Sequence, residues 1–199
     1  MKAALIGLSI AAPVGPVGLL CIQRTIAHGP CIGFASGLGA ATADATYGAI
    51  GAFGLATVTS YFVALTTPLA VLGALFLLWM GIKLLRAAPS ASAANAANGA
   101  FAGKAFISVF LLTLANPMTI LSFIAVFAAI AGPAANTPAA AALMVLGVFC
   151  GSAFWWLLLA CGVASVRHKI GPGVMILVNR IGGCILLCFA GWQLMRIAG

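Results

Sequence analysis

Leu72 to Arg86 reads LGALFLLWMGIKLLR, and its pattern returns 110 residues later as GGCILLCFAGWQLMR, Gly182 to Arg196. Gly73 falls on Gly183, Leu77 on Leu187, Gly81 on Gly191, Leu84 on Leu194 and Arg86 on Arg196. Shared apolar composition yields some of these matches, but two glycine pairs with an arginine pair are harder to obtain by chance. Two more features recur in the same order. Gly33-x-x-x-Gly37 is answered by Gly147-x-x-x-Gly151, and the break at Pro13-Val14-Gly15-Pro16 by Asn116-Pro117. Each copy holds three hydrophobic stretches, an odd number, so the second copy must enter a membrane from the opposite side. The expected fold is an all-α polytopic membrane protein, its six transmembrane helices forming two inverted three-helix repeats.

Composition leads to the same class. The 199 residues include nine Lys and Arg, one acidic residue and 64% hydrophobic side chains, with 5% charged. Mean hydropathy is +1.25. A soluble domain is about one quarter charged, and ten charges cannot furnish a water-facing surface. The net charge of +8 comes from missing acids, not from a basic stripe of the kind that holds nucleic acid. The expected environment is the lipid bilayer.

A spanning helix needs about 20 apolar residues. Cutting at charges and Gly/Pro/Asn breaks gives spans from Lys2 to Arg24, Ile32 to Ala56 and Tyr61 to Leu85. The uncharged run from Lys104 to Arg167 is divided by AGPAANTP (Ala131 to Pro138) into the fourth and fifth, and the sixth covers Gly173 to Met195. One transmembrane domain, 1–199, therefore comprises a first half, 1–86, a cytoplasmic linker, 87–103, and a second half, 104–199. Met1 to Ala12 imitates a signal peptide, but its apolar run continues past Pro13 to Ile22 and favours a span. Arg24, Lys83, Arg86, Lys104, Arg167 and Lys169 flank one set of connections, against Lys2 and Arg196 on the other side. The positive-inside rule then places both termini on the periplasmic face of a bacterial inner membrane.

Inverted repeats with helices broken at matching positions point to a secondary transporter, whose two halves exchange conformations. Proline lacks an N–H, so carbonyls a turn earlier lose their helical partner, and inside a membrane protein, water or ligand must replace it. For any one proline, a packed kink is the commoner account; two breaks at matching depth favour a site.

Asp44 is the sharpest residue. It lies about 20 Å along span two at 1.5 Å per residue, near the bilayer midplane, where a carboxylate costs at least about 2.5–3.5 kcal/mol. Proton coupling, or attraction of a cationic amine or metal, would explain its retention. A structural ion pair with Arg180 or Arg24 is the alternative. Gly33, Gly37, Gly147 and Gly151 read as helix-packing positions. Trp79, Trp155, Trp156 and Trp192 read as interfacial or packing aromatics, with a single Trp lining the cavity left open. Snorkelling is the expected behaviour of Arg180.

None of the six cysteines forms C-x-x-C, and they read as small apolar residues. His28 and His168 fall in loops away from Asp44, so no metal cluster and no cofactor are expected. No nucleotide-binding or nucleophile signature is present, so neither an enzyme nor an ATP-driven pump is expected of this chain.

The chain resembles the LysE family of amino-acid exporters (lysine exporter/RhtB-type translocators). The resemblance rests on AAPVGPVGLLCIQRTIAHGP and FASGLGAATADATYGAIGAFG in the first half, and on LTLANPMTILSFIAVFA and NRIGGCILLCFAGWQLMR in the second. It implies an inner-membrane carrier exporting amino acids or related amines on the proton motive force. Pro13, Gly15, Pro16, Asp44, Asn116 and Pro117 match the family's broken-helix and acid positions, whereas Met118 stands where the family often has Lys. The leading expectation is an amino-acid/proton antiporter working by alternating access, its substrate bound between the breaks of spans one and four. Export of a metal cation, a membrane thiol relay and an accessory subunit are the alternatives, and homo-oligomerisation is left open.

Overall fold

The computed structural model describes residues 2–12, 15–53, 66–86, 99–116, 119, 123, 137–169 and 172–198. Among them are seven helices: α1 Lys2–Ala11, α2 Pro16–His28, α3 Pro30–Ala52, α4 Thr66–Leu85, α5 Gly99–Leu114, α6 Pro138–Arg167 and α7 Pro172–Ala198. No strand occurs in the described residues. Four of the seven begin at a proline, whose fixed φ suits a first helical turn and whose missing N–H is not needed there. Gly29 joins α2 to α3 in a single-residue corner with φ 95°, a conformation that favours glycine. At the start of α6 the Thr137 hydroxyl accepts from the Ala140 N–H at 3.2 Å.

By length and composition α6 and the Ile176–Ile197 portion of α7 are clear spans, and α1 with α2 would make a third, bent by 79°. α4 and α5 are apolar over the shorter stretches Ala70–Leu85 and Phe101–Leu114. α3 has 23 residues, enough to cross, but is rich in Gly, Ala and Thr. Its neighbours explain how this is tolerated. α3 packs against α2, α5 and α6, and 12 of its 23 residues are buried, so protein rather than lipid covers much of it. By contrast α6 buries six of 30 residues and turns Leu143, Leu146, Phe154, Leu157 and Leu158 outward, as a lipid-facing helix must.

Small residues permit the closest crossings. A Cβ on Gly39 would strike the Phe106 carbonyl of α5, and one on Gly151 the Ala4 carbonyl of α1. α4 and α7 run antiparallel: Gly81 meets Gly183, while Gly73, two turns earlier, lies near Gln193. Thr25, Ser36, Thr42 and Thr46 each donate a hydroxyl to the carbonyl one turn back, which satisfies each donor within its own helix.

Some sequence expectations shift at this level. α5 starts at Gly99, inside the stretch read as linker, and residues 87–98 lie outside the described residues. Arg24 and His28 belong to α2 rather than to a loop. The Arg24 guanidinium donates to Ser36 Oγ at 2.9 Å, the Ala105 carbonyl at 3.0 Å and Ser108 Oγ at 2.9 Å, tying α2, α3 and α5 together. The His28 ring meets Phe101 edge-on at 4.6 Å.

Candidate substrate cavity

α1 ends at Ala11 and α2 restarts at Pro16; α5 ends at Leu114, followed by Ala115 and Asn116. Both ends open onto one cavity of about 370 Å³. The first break contributes Ala11, Gly15, Pro16, Val17 and Gly18, and the second Thr113, Ala115 and Asn116. Asp44 reaches it from α3, Trp156 from α6, and Gly73, Leu77, Phe189, Trp192 and Gln193 from α4 and α7. Of the residues read as site candidates, Gly15, Pro16, Asp44 and Asn116 thus line the same space; Pro13 and Pro117 lie outside the described residues.

Asp44 is only 3% exposed. Its Oδ2 accepts a hydrogen bond from the buried Ser152 hydroxyl at 2.7 Å, and among the described residues it forms no ion pair. Arg24 makes the hydrogen bonds described above, and Arg180 is exposed. One helical turn after Asp44, the Tyr47 hydroxyl donates to the Leu114 carbonyl at 2.6 Å, and its ring lies 5.5 Å from that of Phe123. Tyr47 thereby satisfies one of the carbonyls that the end of α5 leaves without a helical partner.

Two polar atoms on the cavity residues lack any hydrogen-bond partner among the described residues: Thr113 Oγ1 and Trp156 Nε1, each from a side chain 4% exposed. Buried polar atoms are nearly always paired, so two orphans on one cavity mark it as a place for a ligand. The Trp155 Nε1 likewise has no partner among the described residues but does not belong to the cavity. Gln193 is anchored, its Nε2 donating to the Ala70 carbonyl at 2.7 Å.

None of the four candidate packing glycines lines the cavity among the described residues. Gly33 faces Thr25, Gly37 the Cβ of Trp156, and Gly147 and Gly151 the start of α1. Trp156 packs in the buried core and Trp192 is exposed, as packing and interfacial aromatics would be, and both also line the cavity. Ser152, Tyr47, Thr113 and Gln193 were not singled out at all. Ser152 did carry a signal, as the lone hydroxyl between Pro138 and Cys161 in an otherwise apolar stretch.

The sequence profile described as LysE type translocator matches residues 8–194. The chain belongs to the LysE type translocator family. It is 30% identical over 188 residues to a Bacillus subtilis (strain 168) protein named "Putative amino acid efflux protein YcgF", covering 92% of this chain and 89% of that one. It is also 30% identical over 174 residues to the Escherichia coli (strain K12) "Uncharacterized membrane protein YahN", covering 85% and 77% respectively. No solved structure gives a significant match.

Members of the LysE type translocator family are transporters, not enzymes. In a transporter the cavity is read for what it can hold. It combines one carboxylate, two polar atoms without a partner among the described residues, a helix start, and a mainly apolar wall that also carries Asn116, Thr119 and Gln193. Among the described residues no three of His, Cys, Asp and Glu gather as metal ligands. The six cysteines are free thiols, and none lines the cavity.

Proposed function

We propose that this LysE type translocator is a secondary carrier that exports an amino acid from a bacterial cell in exchange for protons, by alternating access. The observation that carries the reading is the position of Asp44, the one acid in the chain, in the cavity where both helix breaks meet. One carboxylate oxygen pair holds either a proton or an ammonium group. Substrate release to the outside is followed by protonation of Asp44, and proton loss to the cytoplasm readies it for the next substrate. Competition for one group is sufficient for obligatory exchange, and Ser152 keeps the carboxylate oriented in both forms.

Alternating access requires two halves that can trade places. The helix contacts support an inverted repeat of 1–86 and 104–199 joined by 87–103. Exchanging α1 with α5 and α3 with α6 turns the α1–α6 packing into the α5–α3 packing, and leaves the α3–α6 pair as it was. The antiparallel α4–α7 pair maps onto itself in the same way. Arg24 bonds beside Lys104, and Arg167 Nε donates to the Ile26 carbonyl at 2.8 Å, so three of the basic residues share one end of the bundle. Assigning that end to the cytoplasm puts both termini in the periplasm.

The test is counterflow and gradient-driven accumulation of radiolabelled amino acids in proteoliposomes. Wild-type protein should accumulate substrate when a pH gradient is imposed. Asp44→Asn should lose that response entirely while the protein still folds, and any remaining exchange should ignore the gradient. Accumulation by Asp44→Asn at the wild-type level would refute proton coupling through this carboxylate.

A further inference from the structure

The chain's charges restrict what its cavity can hold. Asp44 is the only acidic residue in the whole sequence, and none of the nine basic residues lines the cavity. A ligand there can therefore have one positive group matched by a side chain, and its negative group must be met by something other than Lys or Arg. The first turn of α2 supplies that. Gly15, Pro16, Val17 and Gly18 all border the cavity, Gly15 caps the helix without any side-chain hydrogen bond, and the first N–H groups of a helix have no intrahelical acceptor. Helix starts attract anions through these N–H groups and the macrodipole. A second donor is available in Trp156, whose indole N–H is buried and has no partner among the described residues. A Cβ on Gly15 would find no described atom within 4 Å, so the approach to this helix start is open.

We infer that the cavity selects a zwitterionic amino acid with an uncharged, apolar side chain, its ammonium at Asp44 and its carboxylate at the start of α2 beside Trp156. The inference rests on the export reading above and narrows its substrate. Leu77, Phe189 and Trp192 form the apolar side of the remaining wall, and Thr113, Asn116, Thr119 and Gln193 its uncharged polar side; the apolar side receives the side chain. A second ammonium or guanidinium would enter a space with no second carboxylate, and a side-chain carboxylate would find no basic residue. An unpaired charge in such a site is expensive. The volume of about 370 Å³ is near the lower end of the roughly 300–1,000 Å³ typical of ligand pockets, which suits one amino acid.

The experiment uses the purified full chain in proteoliposomes preloaded with leucine, and measures uptake of labelled leucine, valine, phenylalanine, lysine and glutamate. Leucinamide and N-acetyl-leucine serve as competitors lacking the carboxylate and the ammonium. Neutral apolar amino acids should exchange faster than lysine or glutamate by about tenfold or more, the factor that 1.4 kcal/mol gives. Neither leucine derivative should compete. Phe189→Ala should move the preference among neutral substrates toward larger side chains. Lysine or glutamate exchanging as fast as leucine would overturn the inference and leave amino-acid export standing. Competition by leucinamide as strong as that of leucine would overturn the assigned carboxylate site. Movement of no amino acid at all would overturn the export reading and this inference with it.

Discussion

The two helix breaks face the same cavity but present different chemistry. At the first, α2 restarts with a glycine cap that supplies no side-chain bond, and a Cβ at Gly15 would find no described atom within 4 Å. At the second, the end of α5 is occupied. The Tyr47 hydroxyl holds the Leu114 carbonyl, and the Asn116 N–H turns back to the Thr113 carbonyl at 3.1 Å. A helix start carries partial positive charge and a helix end partial negative charge. The open break is thus the donor end, and the closed one is the acceptor end. Asp44 lies between them as a full negative charge when ionised. A cavity arranged in this way is polarised for a ligand that is itself a dipole, and breaking the protein symmetry between the breaks is what gives that ligand a direction.

Closing the open break should have the largest effect among changes that leave Asp44 in place. Gly15 has φ −100°, which any L-residue adopts, so Gly15→Ala brings no backbone strain. Its stability should stay within about 0.5 kcal/mol of wild type, as for surface changes without a special mechanism. The added methyl group takes space beside the α2 N–H groups, and transport should fall about tenfold, equivalent to 1.4 kcal/mol. Counterflow rates beside thermal unfolding in detergent measure both quantities. Equal transport by Gly15→Ala would show that the first break is a packed kink.

Opening the closed break should act on both stability and transport. Tyr47→Phe keeps the ring against Phe123 and removes the hydroxyl that donates to the Leu114 carbonyl. Leaving a buried acceptor unpaired costs about 1–3 kcal/mol, to be read as a lowered unfolding temperature. Because the variant loses this tie between α3 and the end of α5, exchange should slow by about two- to fivefold, within the factor of ten that 1.4 kcal/mol gives. An unchanged unfolding temperature would mean that the break does not depend on Tyr47.

The contrast between the breaks also shows what could be read from the sequence. Asp44 was legible because an acid in an apolar span is costly wherever it lies. The breaks were legible because proline removes an N–H in any context. Neither argument needs a neighbour. Tyr47, Ser152 and Trp156 were hidden for the opposite reason: a hydroxyl can bond its own helix, as Thr25 and Ser36 do, and an indole sits well at an interface or in a core. Their roles depend on which helix lies opposite. α3 itself illustrates the same limit. Its span was expected from length, yet its tolerance for Gly, Thr and Asp comes from being enclosed by α2, α5 and α6, which no local pattern reports. The start of α5 at Gly99 was missed because small residues such as Ala97 and Ala100 fit a linker and a helix alike.

Ser152 offers the finest test of how the two breaks share Asp44. Its hydroxyl donates to Oδ2 at 2.7 Å, and among the described residues the carboxylate has no other hydrogen-bond donor. Ser152→Ala leaves the volume nearly unchanged and frees that oxygen. If Ser152 only filled space, removing the hydroxyl would not alter transport. If it orients the carboxylate toward the cavity, the substrate ammonium meets a less ordered partner, and apparent affinity should fall about two- to tenfold, matching the roughly 0.5–1.5 kcal/mol net worth of a hydrogen bond. The maximal rate should change less than the KM, because the chemistry of exchange still rests on Asp44. A KM equal to that of wild type would remove Ser152 from the site. It would leave the polarity of the two breaks, rather than any single hydrogen bond, to set the orientation of the bound substrate.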